Sequence, residues 1–437
     1  MGVTSIFPTA DAIESDTPAS RDRALDVIRI ASLIGVVAGH TIMATSMIAD
    51  GVFAWGNLLT TSPVFQALTW VFQIMPLFFF AGVAASVGSW TPGGSWGGWL
   101  LKRCTRLYRP VFYYLAFWAV TLVVLRPLLP TRVYDSIAGI SIQLLWFLGV
   151  YVVVLAAVPL LARITTVARF VGSVTALYAV IALVDGIRVH DAAWSALGYS
   201  NLVAWLIPGM FGVAYRRRLF TARTALTVGV AMFAVNVALV WLGPYELSLV
   251  GIDTQELKNM MPPSLLLTGH AIMMCAFAIA AAPAVARWAG RPRVWRLAVI
   301  GNSGAMTLYL WHMPALLAVH LAFDYLGLDR WPGQPNFWTI SAAQVAVMAV
   351  LVCGSFVVLR PLENDPLPLW DGGHISRPGL RSAVVGTLLC GAGAATLAAA
   401  GWGLEGEGLD YVLVMLAALV GARLLARENP VAHDSVG

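Results

Sequence analysis

The chain is poor in charge. Asp, Glu, Lys and Arg make up 11% of its 437 residues, under half the share usual in soluble domains. That shortage excludes a disordered chain and a nucleic-acid-binding domain, both of which need dense charge. Cysteine is scarce too. Cys104, Cys275, Cys353 and Cys390 show no CxxC spacing, which excludes a disulfide scaffold and leaves them as small apolar side chains. Long polar stretches are also missing. The widest polar gap, Pro244 to Pro263, is too short for a folded domain. From Met1 to Asp22 no basic start leads into an apolar run, so no cleavable signal peptide is expected.

What the sequence does contain is apolar. Hydrophobic residues reach 59% and the mean hydropathy is +0.78, which requires an all-α polytopic membrane protein. Twelve runs are long enough to cross a bilayer, near 27–48, 63–88, 108–129, 138–161, 169–185, 199–215, 222–243, 264–287, 297–324, 337–360, 381–400 and 409–426. The runs are continuous, not alternating, so barrel strands are excluded. With the N-terminus inside, all but five of the 27 Lys and Arg fall in cytosolic segments; the five are Arg126, Arg132, Arg188, Lys258 and Arg330. Both termini are therefore expected in the cytosol. The net charge of +5 reflects this loop topology and carries no nucleic-acid signal. The expected organisation is a disordered tail over 1–23, a ten-helix body over 24–365, a Pro/Gly linker over 366–380, two further helices over 381–426, and a tail over 427–437. The last two helices are Gly/Ala-rich and look like an appendage.

Ionisable residues inside a span are costly, so each is a functional candidate. Arg29 and His40 in the first run are eleven residues apart. At 100° per residue they share a face, and about 16 Å of helix separates them. The ordinary reading of Arg29 is a snorkelling positive-inside residue, and that of His40 an interhelical hydrogen-bond donor. Their shared face and the depth of His40 favour function. The ninth run holds His312 at a matching depth, with Tyr309 one turn below. Two imidazoles at one depth could line one cavity. Arg103, Arg106 and Arg109 repeat every three residues at the cytosolic mouth. They suit either lipid headgroups or a clamp for a phosphorylated cytosolic ligand. No HExxH or i, i+4 histidine pair occurs and no carboxylate lies deep in a run, so no metal site is expected.

Together these residues resemble the acyltransferase family 3 of membrane proteins. Leu25-Asp26 with Arg29 and His40 resembles its R-x10-H segment. Pro76-Leu77-Phe78-Phe79-Phe80-Ala81-Gly82 resembles its helix-two segment, with Ala81 where serine is usual. Arg103-Cys104-Thr105-Arg106 resembles its R-x-x-R, Leu145-Trp146-Phe147-Leu148 its LWFL, and Gly301 to His312 its late small-polar, Tyr-Leu, His segment. The likeness covers roughly 24–365. It implies an integral membrane O-acyltransferase that moves an acyl group, commonly acetyl, from cytosolic acyl-coenzyme A to a hydroxyl of an envelope carbohydrate or glycolipid. The acyl-CoA is a substrate, with no bound cofactor, and the setting is the plasma membrane. His40 with Arg29 would carry the chemistry. Arg103, Arg106 and Arg109 would hold the coenzyme A phosphates, and Tyr309, His312 and Trp146 would serve the acceptor or the oxyanion. The rival reading is a twelve-helix secondary transporter or lipid flippase, which is expected to have two matching halves. Residues 27–215 and 222–426 show no such match.

Overall fold

The computed structural model describes residues 7–252 and 257–426, and the expected tail over 427–437 lies outside them. In chain order the helices begin with α1 (Ala10–Asp16) and α2 (Arg23–Met43), followed by the hairpin strands β1 (Ala44–Ala49) and β2 (Val52–Asn57). Next come α3 (Pro63–Phe72), α4 (Met75–Val87), α5 (Trp96–Leu125), α6 (Thr131–Ser141), α7 (Leu145–Ala156), the short α8 (Val158–Leu161) and α9 (Val167–His190). A 3₁₀ stretch (Ala192–Trp205) leads into α10 (Leu206–Arg216), then α11 (Ala222–Leu242) and α12 (Leu265–Ala289). The chain closes with α13 (Pro292–Asn302), α14 (Ala305–Tyr325), α15 (Phe337–Asn364), α16 (Leu380–Trp402) and α17 (Glu407–Leu425). Among the described residues these elements give twelve segments long and apolar enough to cross a membrane. The α6–α7 segment and α12 are mostly buried in the bundle, whereas α9, α11 and α15 expose most of their apolar surface, as lipid-facing helices do.

Three boundaries differ from expectation, each for a local reason. The segment expected as a disordered tail carries α1. Thr9 caps this helix by accepting from the Ala12 N–H at 3.3 Å, Ile13 buries its side chain, and the Trp295 indole donates to Thr17 at 2.8 Å. The first span ends at Met43, not 48, because Asp50 and Gly51, both at positive φ, form the two-residue turn that suits a hairpin. The hairpin is held by Arg330, whose guanidinium caps the end of α2 by donating to the carbonyls of Thr41 and Ile42, each at 2.6 Å. Burial lowers the Arg330 pKa to about 10, so it stays charged at neutral pH and complements the helix terminus. The third span begins at Trp96, capped by Ser95, so the basic run Lys102–Arg109 is helix and not loop.

The last two helices are not an appendage. α16 packs against α5 and α7. A Cβ on Gly149 of α7 would sit 2.5 Å from the Gly393 carbonyl oxygen of α16, so the backbones meet where only glycine fits. Tyr108 hydrogen-bonds Thr396 at 3.1 Å, and Ser382 accepts from the Gly97 N–H at 2.9 Å. The expected linker is likewise packed: Trp370 and Ile375 are buried, and the Trp370 indole donates to the Thr105 carbonyl at 2.8 Å.

One wholly buried carboxylate was not expected. Asp185, near the end of α9, accepts from Arg188 (2.8 Å), Asn201 (2.9 Å), Tyr245 (3.1 Å) and the Leu265 N–H (2.7 Å). Four donors compensate its burial, and the knot ties four chain segments together.

Candidate active site

Two of the spans are interrupted inside the bundle, and a third break lies at the start of the ninth span. Gln73–Ile74 separates α3 from α4, residues 142–144 separate α6 from α7, and Ser303–Gly304 separates α13 from α14. A helix break frees carbonyls that lipid cannot satisfy, so such breaks persist only where protein or a cavity meets them. Buried side chains do this here. The Gln73 carbonyl accepts from His270 Nε2 at 3.0 Å, and the Leu144 carbonyl accepts from the Tyr309 hydroxyl at 2.6 Å. At the third break Glu363 of α15 caps α14, accepting from the Thr307 N–H at 2.8 Å and its hydroxyl at 2.9 Å.

The first two breaks border a cavity of about 390 Å³. His40, Gln73, Gln143, Trp146 and Tyr309 line it, and Trp55, Gly56 and Asn57 of the hairpin bound its other side. His40 and His312 meet here. Their rings stack with centroids 5.2 Å apart, and His40 Nδ1 lies 2.9 Å from His312 Nε2. On the far side His312 Nδ1 lies 3.1 Å from the Leu308 carbonyl. A carbonyl only accepts, so the neutral His312 carries its proton on Nδ1 and presents a bare Nε2. His40 Nδ1–H then donates to that nitrogen, and the His40 lone pair is left on Nε2. The four expected residues His40, His312, Tyr309 and Trp146 are thus brought together.

The arginines divide. Arg29 donates to Asn302 at 2.6 Å, beside the third break. Arg103 stacks over Trp99 with its guanidinium carbon 3.8 Å from the ring centre and donates to the Ser89 hydroxyl. Arg106 is exposed. Arg109 is buried and pairs with Asp371, while donating to the carbonyls of Glu363 and Asn364 at 2.9 Å each. A three-residue repeat falls about 60° short of a full helical turn at each step. Arg109 therefore rotates off the face that carries Arg103 and anchors the 366–380 loop instead.

The apolar motifs form one packing unit. Phe79 of α4 meets Phe147 of α7 at 5.0 Å between ring centres. A Cβ on Gly82 would collide with the Tyr151 hydroxyl, so that glycine makes room for the tyrosine. Ala81 is buried and apolar there. Among the described residues no three His, Cys, Asp or Glu side chains gather closely enough to hold a metal ion. Gln73, Gln143 and Asn57 were missed by sequence reasoning. Nothing in their immediate sequence marks them, because helix breaks and the hairpin turn them toward the site.

Twelve apolar segments and a cavity bordered by a stacked imidazole pair define a multi-pass membrane protein with a polar site inside the bundle. The model of the acyltransferase domain of family 3 matches residues 22–360, and the chain belongs to that family of acyltransferases. Neither a curated protein nor a solved structure matches the chain. The family match sets the transporter reading aside. It includes every expected site residue and stops before the 366–380 loop, α16 and α17.

Proposed function

We propose that the protein is a plasma-membrane O-acyltransferase that takes an acyl group, acetyl in the simplest case, from cytosolic acyl-coenzyme A. The acceptor is a hydroxyl of an envelope carbohydrate or glycolipid on the opposite side. The observation that carries this reading is the His40–His312 relay at the cavity wall, which leaves a lone pair on His40 Nε2. A sugar hydroxyl is a weak nucleophile, and a neutral imidazole can remove its proton during attack. As the hydroxyl oxygen bonds to the thioester carbon, its proton passes to Nε2. The tetrahedral intermediate collapses, the C–S bond breaks, and the coenzyme A thiolate takes the proton from the imidazolium. The same lone pair can instead accept the acyl group before the sugar does.

Two further features support the reading. The cavity presents amide side chains, Asn57, Gln73 and Gln143, beside the indoles of Trp55 and Trp146, a lining suited to hydroxyls and sugar faces. His40 stands about 16 Å along α2 from Arg29, so a donor anchored at the arginines would need a thin flexible arm to reach it, as pantetheine provides.

The test uses membranes containing the protein and acetyl-labelled coenzyme A. Label is expected in a lipid-extractable or polysaccharide fraction. His40→Ala is expected to abolish transfer while the variant remains inserted and folded. Full transfer by that variant would overturn the reading, and label on His40 after acid quench would select the acyl-histidine route.

A further inference from the structure

A second cavity lies at the arginine-rich end of the bundle, apart from the histidine cavity. It measures about 550 Å³. One wall is the α4–α5 turn and the start of α5, with Trp90, Trp99 and Lys102; the other is Gly373 to Ser376, in the loop that follows the family-matched region. The two indoles meet edge to face at 5.8 Å between centres. Arg103 covers the Trp99 ring and bonds Ser89, which itself lines the cavity. The pocket therefore abuts Arg103. Lys102 is exposed, with no hydrogen bond or ion pair among the described residues.

The loop wall is built, not incidental. Arg109 grips Asp371, and Arg423 of α17 donates to the carbonyls of Trp370 at 2.7 Å and Asp371 at 2.6 Å. The His374 N–H donates to the Ala426 carbonyl at 3.0 Å. A Cβ on Gly98 would strike the Ile375 carbonyl, so α5 and the loop touch backbone to backbone. Another cavity at this end, about 230 Å³ among Ile279, Ala282 and Pro283, is smaller and largely apolar.

We propose that the larger pocket holds the adenosine 3′-phosphate end of the acyl-coenzyme A donor, with Trp90 and Trp99 against the base, Lys102 on the phosphate, and the 373–376 loop closing it. The proposal rests on the donor reading above. A nucleotide with three phosphate groups cannot follow its thioester into the bundle, because desolvating that charge costs too much. It must stay at the mouth, where a purine finds an indole surface and a phosphate finds an unpaired ammonium. Arg103 and Arg106 then face the pyrophosphate as the arm turns inward toward Arg29. The C-terminal extension, outside the matched family region, acquires a role as one wall of the donor site.

The test measures binding to the full-length protein in lipid nanodiscs. The ligands are coenzyme A, 3′-dephospho-coenzyme A and adenosine 3′,5′-bisphosphate. The bisphosphate alone is expected to displace coenzyme A. Lys102→Ala is expected to weaken coenzyme A about tenfold, the worth of one charged hydrogen bond, and to leave the dephospho form unchanged. Trp90→Ala should weaken both forms, and His374→Glu should weaken coenzyme A more than the dephospho form. Thermal unfolding of each variant checks that it is folded. Coenzyme A affinity unchanged in all three, with transfer intact, would overturn the pocket and leave the donor reading standing. If the wild type binds no form of coenzyme A, both readings fall.

Discussion

The reactivity of an imidazole depends on which nitrogen holds the proton, and that is set by what the other nitrogen touches. His40 touches His312, and His312 touches a backbone carbonyl. The carbonyl fixes the direction of the whole relay. His312→Ala removes the acceptor for His40 Nδ1–H, so the proton is free to settle on Nε2 and occupy the lone pair that the proposed attack uses. We expect kcat to fall by about 10²-fold or more, with little change in the KM for the donor. His312→Gln keeps an amide oxygen to accept that proton and should recover part of the loss. Steady-state kinetics of the two variants decide it: equal losses in both, with the fold intact, would assign His312 to packing alone. The pairing of these two residues was legible in the sequence because each lies at a countable depth in its span. The pairing of Arg109 with Asp371 was not, since the partner sits 262 residues away in a loop whose path the sequence does not reveal.

At the scale of elements, hydropathy locates a span but not a break within it. The runs through Gln73 and Gln143 stay apolar while the backbone leaves the helix. The breaks are stabilised by distant partners, Tyr309 and His270, which no local window contains. The hairpin shows the converse. Its Asp50-Gly51 turn was in view, but the apolar run leading to it reads equally as helix or strand. The seating of α16 was also hidden, because its glycines and alanines look featureless until α7 is laid against them. A single-methyl comparison tests this seating. Gly149→Ala puts a methyl against the Gly393 carbonyl and should cost about 1–3 kcal/mol by overpacking. Gly391→Ala lies on the same helix as Gly393, exposed and with nothing near its would-be Cβ. It should leave stability unchanged or raise it through better helix propensity. Thermal unfolding in one detergent compares the two. If they unfold alike, α16 is not seated by backbone contact.

For the whole molecule, the distribution of charge was the most legible feature, and it bears on which substrate arrives from which side. The arginines near α2, α5 and α13 gather at one end of the bundle, while the hairpin and Arg330 lie at the other. Basic residues flanking apolar spans are retained in the cytosol during insertion. An even number of spans then returns the C-terminus to the side where the chain began. The orientation matters to the chemistry, because the wide indole-lined pocket opens at the arginine-rich end and the hairpin-lined cavity faces the other. Single cysteines in a background with the native four replaced by alanine test it directly. Leu328→Cys lies in the exposed loop beside the hairpin, and Arg377→Cys lies in the exposed loop beside the indole-lined pocket. A membrane-impermeant maleimide added to intact cells should label the first and spare the second, and both should react once the membrane is opened. Labelling in the reverse order would invert the protein. The indole pocket would then face away from cytosolic coenzyme A, and neither the proposed donor nor its route to His40 would survive.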